Sequence, residues 1–120
     1  MAVHLKRIYQ TPSPQDGYRV LVDRLWPRGI SREKADLDEW LKEIAPTQEL
    51  RQRFAHDVSR WGEFRRRYLK ELTGHREALR QLVNRSRREE VTLLFGAQDE
   101  AHNNAVVVAQ YLAMLNSDKS

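Results

Sequence analysis

The sequence predicts a small three-layer α/β sandwich, with about three mainly parallel strands and helices on both faces. Two observations carry this expectation. The apolar runs at 18–26 and 91–95 place hydrophobic residues on both faces of a strand, as a doubly covered central strand requires. The stretches between and after them carry apolar residues at helical spacing. No repeat, low-complexity tract or linker interrupts the 120 residues, so 1–120 reads as a single domain.

Leu5 to Tyr9 is the first candidate strand, short and mixed in character. Two prolines and an Asp-Gly pair make 11–17 a turn-rich loop. The second strand is Tyr18 to Trp26, stopped by Pro27, which has no N–H to give to a ladder. A loop this short does not suit a parallel crossover, so the direction of the first strand stays open. The second strand and the third, Val91 to Phe95, are expected to be parallel.

Helices fill the remainder. Asp36 and Glu39 resemble a capping box, with Leu37, Trp40, Leu41 and Ile44 behind them and Pro46 as the stop. Thr47 is suited to cap a short helix reaching about Ala55, and Ser59 to cap the next. That next helix carries one apolar stripe, Trp61, Phe64, Tyr68 and Leu72, with Gly74 as its stop. A basic helix follows over 76–87, and a strongly apolar one from Ala101 to Asn116 is expected to pack on the sheet.

Composition sets limits on function. The chain has no cysteine, which excludes disulfides, thiolate metal sites and a cysteine nucleophile, and favours a reducing compartment. The N-terminus lacks the apolar core of a signal peptide, and no run approaches the length that spans a bilayer. A cytoplasmic protein without membrane contact is expected. The net charge is +4, and twelve basic residues against six acidic ones lie between Arg51 and Glu90. That excess makes a nucleic-acid-binding or regulatory role for the helices of 51–90 an alternative function, against the plainer reading of a solvated arginine-rich surface.

Two polar clusters stand where an α/β sheet places its ligands, beyond the carboxyl ends of its strands. The first is Asp23-Arg24-Leu25-Trp26-Pro27-Arg28-Gly29. Strand alternation would put Asp23 and Leu25 on one face and Arg24 and Trp26 on the other. Arg24 and Arg28 offer planar charged forks suited to phosphate or carboxylate, and Gly29 frees the backbone after the proline. The competing reading is structural, an Asp–Arg pair closing the strand end with Trp26 in the core.

The second cluster is Asp99-Glu100-Ala101-His102-Asn103-Asn104. Asp99 is placed to cap the last helix, with His102 in its first turn. The same two residues suit an acid–base pair, with Asn103 or Asn104 orienting a ligand. A capped helix with a solvated histidine is the plainer alternative. Asp23, Asp99 and His102 would also make an oxygen-and-nitrogen metal site if the two strand ends meet. No histidine pair or dense carboxylate cluster supports that reading, so no metal ligand is assigned, and the sequence leaves any cofactor open.

These motifs carry a family resemblance. The run Gly17-Tyr18-Arg19-Val20-Leu21-Val22-Asp23-Arg24-Leu25-Trp26-Pro27-Arg28-Gly29 resembles the signature of the short YeaO-like proteins of domain-of-unknown-function family 488. The likeness continues through Leu37–Pro46, His56-Asp57, Arg60-Trp61, Phe64, Arg67 and Tyr68, and then Val91–Ala97, Asp99-Glu100 and His102-Asn103-Asn104-Ala105. The resemblance implies a compact cytoplasmic α/β protein of bacteria or archaea without an assigned activity. It also directs attention to Asp57, Trp61, Arg67 and Tyr68. The combined expectation is a site for an anionic small molecule. Arg24, Arg28 and Arg67 would hold the anion, with Trp26, Gly29, Asn103 and Asn104 around it. Asp23, Asp99 and His102 would be the catalytic groups if the site performs chemistry.

Overall fold

Val91–Phe95 (β4) is buried along its whole length and lies inside a four-stranded, all-parallel sheet, with Val3–Arg7 (β1) on one side and Tyr18–Leu21 (β2), then Glu39–Trp40 (β3), on the other. The computed structural model describes residues 1–117. β1 is Val3–Arg7 and pairs with β4 so that Leu5 faces Leu93 and Arg7 faces Phe95. β2 is Tyr18–Leu21 and lies on the other side of β4, with Val20 opposite Leu93. The first strand is therefore parallel. Residues 8–17 therefore form a parallel crossover past β4, made by a loop and one 3-10 turn, Pro14–Asp16, in place of a helix. Gly17 closes that crossover at φ 66°, where an added Cβ would lie 2.2 Å from the Glu90 carbonyl oxygen.

The α/β expectation holds with four strands in place of three. The additional one, β3 (Glu39–Trp40), lies within the segment expected to be a helix from Asp36 to Pro46. Asp36 does not begin a helix. It sits in the left-handed region at φ 48° and ends a short one, α1 (Arg32–Ala35), which Ser31 caps. Asp38 then accepts a hydrogen bond from the Arg19 N–H at 2.8 Å and returns its own N–H to the Arg19 carbonyl at 2.9 Å. The Leu41 N–H adds a bond to the Leu21 carbonyl at 2.9 Å. These bonds to a strand distant in sequence outweigh the helical spacing of the apolar residues.

The remaining helices follow their sequence signals with shifted caps. α2 (Gln48–Phe54) is capped by Thr47, as expected. α3 (Trp61–Leu72) buries Phe64, Tyr68 and Leu72, but Asp57, not Ser59, caps the 3-10 turn leading into it. A second 3-10 turn, Thr73–His75, joins α3 to α4 (Arg76–Ser86), so Gly74 lies inside a connection. α5 (Asn104–Ser117) starts later than expected. The Asn103 side chain accepts from the Val106 N–H at 3.0 Å, while Asp99 closes the preceding turn on the N–H groups of Ala101 and His102.

The sheet is covered unequally. Val20, Val22, Val91, Leu93 and Phe95 face the main core, shared with α2 to α5. The opposite face buries Ile8, Leu21, Leu94 and Ala35, with Trp26, Ile30, Leu37 and Trp40 packed against them. A buried Arg19 organises this thinner layer by donating to the Asp16 carboxylate and to the carbonyls of Ala35 and Asp36. Among the described residues, no helix is long and apolar enough to cross a membrane.

Candidate functional site

Asp23 is the hinge between the fold and the candidate site. The Val22 N–H still donates to the Leu94 carbonyl at 3.1 Å, but one residue later the chain leaves the sheet. The Asp23 carboxylate there accepts the Gly96 N–H at 2.8 Å, tying the carboxyl end of β2 to that of β4. Burial pushes the Asp23 carboxyl above its ordinary value. The Gly96 N–H, the Asn104 carboxamide and the positive charge of Arg51 pull the other way without offsetting it.

Beyond these strand ends opens a cleft of about 710 Å³, within the usual range for a small-molecule site. Asp23, Arg24, Leu25 and Arg28 line it from the β2 side, and His102, Asn103 and Asn104 from the start of α5. The two sequence clusters therefore meet in space. Because the strand ends early, simple alternation fails: Asp23, Arg24 and Leu25 all border one cavity. Trp26 turns to the opposite face, where its indole N–H donates to the Ile30 carbonyl at 2.6 Å and its ring meets Trp40 edge-on. Trp26 thus packs in the second core cluster. Gly29, at φ 76°, gives the turn its left-handed geometry and does not line the cleft.

The polar groups of the cleft differ in how far the fold already engages them. Arg24 donates from Nε and Nη2 to the carbonyls of Ala45 and Pro46, at 3.1–3.4 Å. It therefore anchors the segment entering α2. Asn104 donates to the Val22 carbonyl at 2.8 Å, and the buried Asn103 donates to the Asp99 carbonyl at 2.9 Å. His102 Nδ1 lies 2.9 Å from the Asp99 carboxylate, and the imidazole meets Trp61 edge-on at 5.2 Å. Hydrogen bonds from the Ala101 N–H and from the side chain and N–H of His102 hold the Asp99 carboxyl below its ordinary value. Asp99 itself lies outside the cleft lining, behind His102.

Arg28 and Arg51 are different. Both are exposed and line the cleft, and neither guanidinium donates a hydrogen bond among the described residues. Arg51 was not singled out by the sequence. Thr47 as cap fixes the phase of α2, which puts Leu50 and Phe54 in the core and presents Gln48, Arg51 and Gln52 to the cavity. That polar i, i+3, i+4 set was the signal available. His56 also borders the cleft, just past α2, and Tyr9 reaches it from the end of β1.

Arg67 lies elsewhere. It borders a separate depression of about 680 Å³ between α2 and α3, together with Arg53, Lys70 and Glu71. Among the described residues, no three His, Asp or Glu side chains gather as a metal site would, so Asp23, Asp99 and His102 do not form one.

Fold and cleft together define a parallel α/β domain with a polar, arginine-bearing pocket at the carboxyl edge of its sheet. The chain belongs to the DUF488 family: residues 2–120 match the group described as the inactive DUF488-N3 subclade. It is 43% identical over 115 residues to the uncharacterized protein YeaO of Escherichia coli (strain K12), covering 96% of this chain and 100% of that one. It is 39% identical over 110 residues, 92% of each chain, to the uncharacterized protein Rv3073c of Mycobacterium tuberculosis (strain H37Rv). The uncharacterized protein Mb3100c of Mycobacterium bovis matches to the same extent. No solved structure matches the chain significantly.

Proposed function

We propose that the cleft binds a small anion, a phosphate or carboxylate compound, and holds it without transforming it. The observation that carries this reading is the pair Arg28 and Arg51, two guanidinium groups on one cavity that donate no hydrogen bond among the described residues, Arg51 feeling only the charge of Asp23 across the cleft. A guanidinium is a permanent cation with a planar set of donors, and a carboxylate or phosphate satisfies it in bidentate fashion. The Asn103 and Asn104 amides and the backbone around them form the rigid wall against which the anion would sit.

Binding is preferred to catalysis for three reasons. Asp23 commits one carboxylate oxygen to the Gly96 N–H, a tie between two strand ends that serves the frame of the cleft. The Asp99–His102 pair favours proton transfer by its geometry, but no serine or threonine nucleophile accompanies it in the cleft lining. The family's description as an inactive subclade speaks in the same direction. The nucleic-acid reading has less behind it. Arg53 pairs with Glu63, Arg60 with Asp57 and Arg85 with Glu89, while Arg65 and Arg87 bond to Gln110 and Asn116. A cysteine-free chain suits a reducing compartment, and the cytoplasm is its expected place.

Titration calorimetry with phosphate, sulfate and simple carboxylates tests the proposal. Arg51→Ala and Arg28→Ala should each weaken the bound anion by about tenfold to a hundredfold, the worth of a charged hydrogen bond. Arg53→Ala, whose partner is Glu63 outside the cleft, should leave the affinity unchanged. Equal loss in all three variants would make the effect one of general charge and remove the site.

A further inference from the structure

The cleft shows apolar surface beside its cations, and this speaks to what the anion is attached to. Leu25 is 64% exposed and Tyr9 42% exposed, and both border the cavity that Arg28 and Arg51 line. A single exposed leucine is ordinary on any surface. Leu25, however, lies in a segment whose neighbours are engaged: Arg24 by the carbonyls before α2, Trp26 by Ile30. Phe54 and Phe64, buried side chains of the main core, continue the apolar lining inward.

The apolar and charged parts are also held together. The Tyr9 hydroxyl donates to the Arg28 carbonyl at 3.0 Å, which links the ring to the loop that carries the cation. An inorganic anion bound at the guanidinium groups would leave Leu25 and Tyr9 in water. A ligand with a hydrocarbon portion would cover them and gain in proportion to the area removed from water. A ring would in addition meet Tyr9 in the offset or edge-on arrangements that aromatic pairs favour.

We infer that the ligand is an organic anion with a flat apolar body, its phosphate or carboxylate head on Arg28 and Arg51 and its body on Leu25 and Tyr9. This inference rests on the anion reading above and specifies its ligand class. The pocket volume accommodates a small molecule of this kind. Leu25 and Tyr9 are then the residues that set specificity between a bare anion and a substituted one.

Calorimetric titration with inorganic phosphate and with phenyl phosphate separates the two readings. Phenyl phosphate should bind the wild-type chain at least about tenfold more tightly, a gain of about 1.4 kcal/mol. Leu25→Ala should lose most of that advantage while keeping its affinity for inorganic phosphate and its melting temperature, and Leu25→Met should restore it. Equal affinity for the two compounds overturns the inference and leaves the anion site standing. An advantage that survives Leu25→Ala unchanged overturns the role of this surface. Binding of neither compound removes the anion reading, and this inference with it.

Discussion

Asp23 offers the sharpest test of how the fold builds the cleft, because its two roles respond to different substitutions. Its carboxylate takes the Gly96 N–H at 2.8 Å and so joins the ends of β2 and β4. Asp23→Ala removes the acceptor and leaves a partly buried donor unsatisfied, which costs about 1–3 kcal/mol. Unfolding entropy of about 2.1 cal/mol/K per residue amounts to about 0.25 kcal/mol/K for a chain of this length. A loss of about 2 kcal/mol therefore lowers the melting temperature by about 8 °C. Asp23→Asn keeps an acceptor and removes the charge. Burial raises the native carboxyl above its unfolded value, so the native state holds this proton more tightly and ionisation opposes folding. The stability tied to the protonated form is present below the unfolded value and is lost as pH rises through the native one. Asp23→Asn should accordingly equal or exceed the wild type at about pH 7, and any advantage should vanish towards about pH 3. Calorimetric melts of the three proteins across that range measure both effects. If Asp23→Asn falls as far as Asp23→Ala at neutral pH, the cleft stabilises the ionised carboxylate and burial does not dominate at this position.

Other substitutions probe the frame around the cleft. Arg19→Met leaves the buried Asp16 without one of its two cationic partners and frees the carbonyls of Ala35 and Asp36. A loss of about 3–5 kcal/mol is expected in denaturant unfolding, and a loss below about 1 kcal/mol would show that solvent reaches this face. Burial pushes the Asp16 carboxyl up, but hydrogen bonds from Ser13, Lys6 and Arg19 more than offset it and hold it below its ordinary value. Stability from Asp16 is present above the unfolded value and is lost as pH falls through the native one, a slope that Asp16→Asn should remove from acid titrations. Gly17→Ala must move the Glu90 carbonyl as well as adopt a positive φ, so its folded yield or melting temperature should drop sharply. Alanine at Gly62, where an added Cβ meets nothing within 4 Å, is the control and should melt no lower than the wild type.

Much of the fold was legible because local and global signals agree. Val91–Phe95 is apolar on both faces and is buried on both. Phe64, Tyr68 and Leu72 at helical spacing form one buried stripe, and Thr47 caps α2 as its side chain invites. The segment from Asp36 to Pro46 misleads because its apolar residues have a helical period while its backbone bonds go to β2. Likewise Asp99 is a sound N-cap in isolation, yet Asn103 takes that position and Asp99 turns to His102. Of the candidate site, the two motifs after the strands were visible, whereas Arg51 was one arginine among many in a basic stretch.

The sequence by itself determined the class of fold, the buried strand, most of the helices and the presence of two polar motifs at strand ends. Each of these depends on residues near one another in the chain, where periodicity, capping and turn chemistry act. Only the tertiary structure decided the strand order, the fourth strand and the meeting of the two motifs across β2 and β4. It also decided which arginines are left with free donors. Arg24 reaches the carbonyls of Ala45 and Pro46, while Arg28 and Arg51 face the cleft and donate no hydrogen bond among the described residues. Charge and side-chain type are identical in the three cases; what differs is the set of carbonyls and carboxylates that folding brings within reach, and no local pattern encodes that.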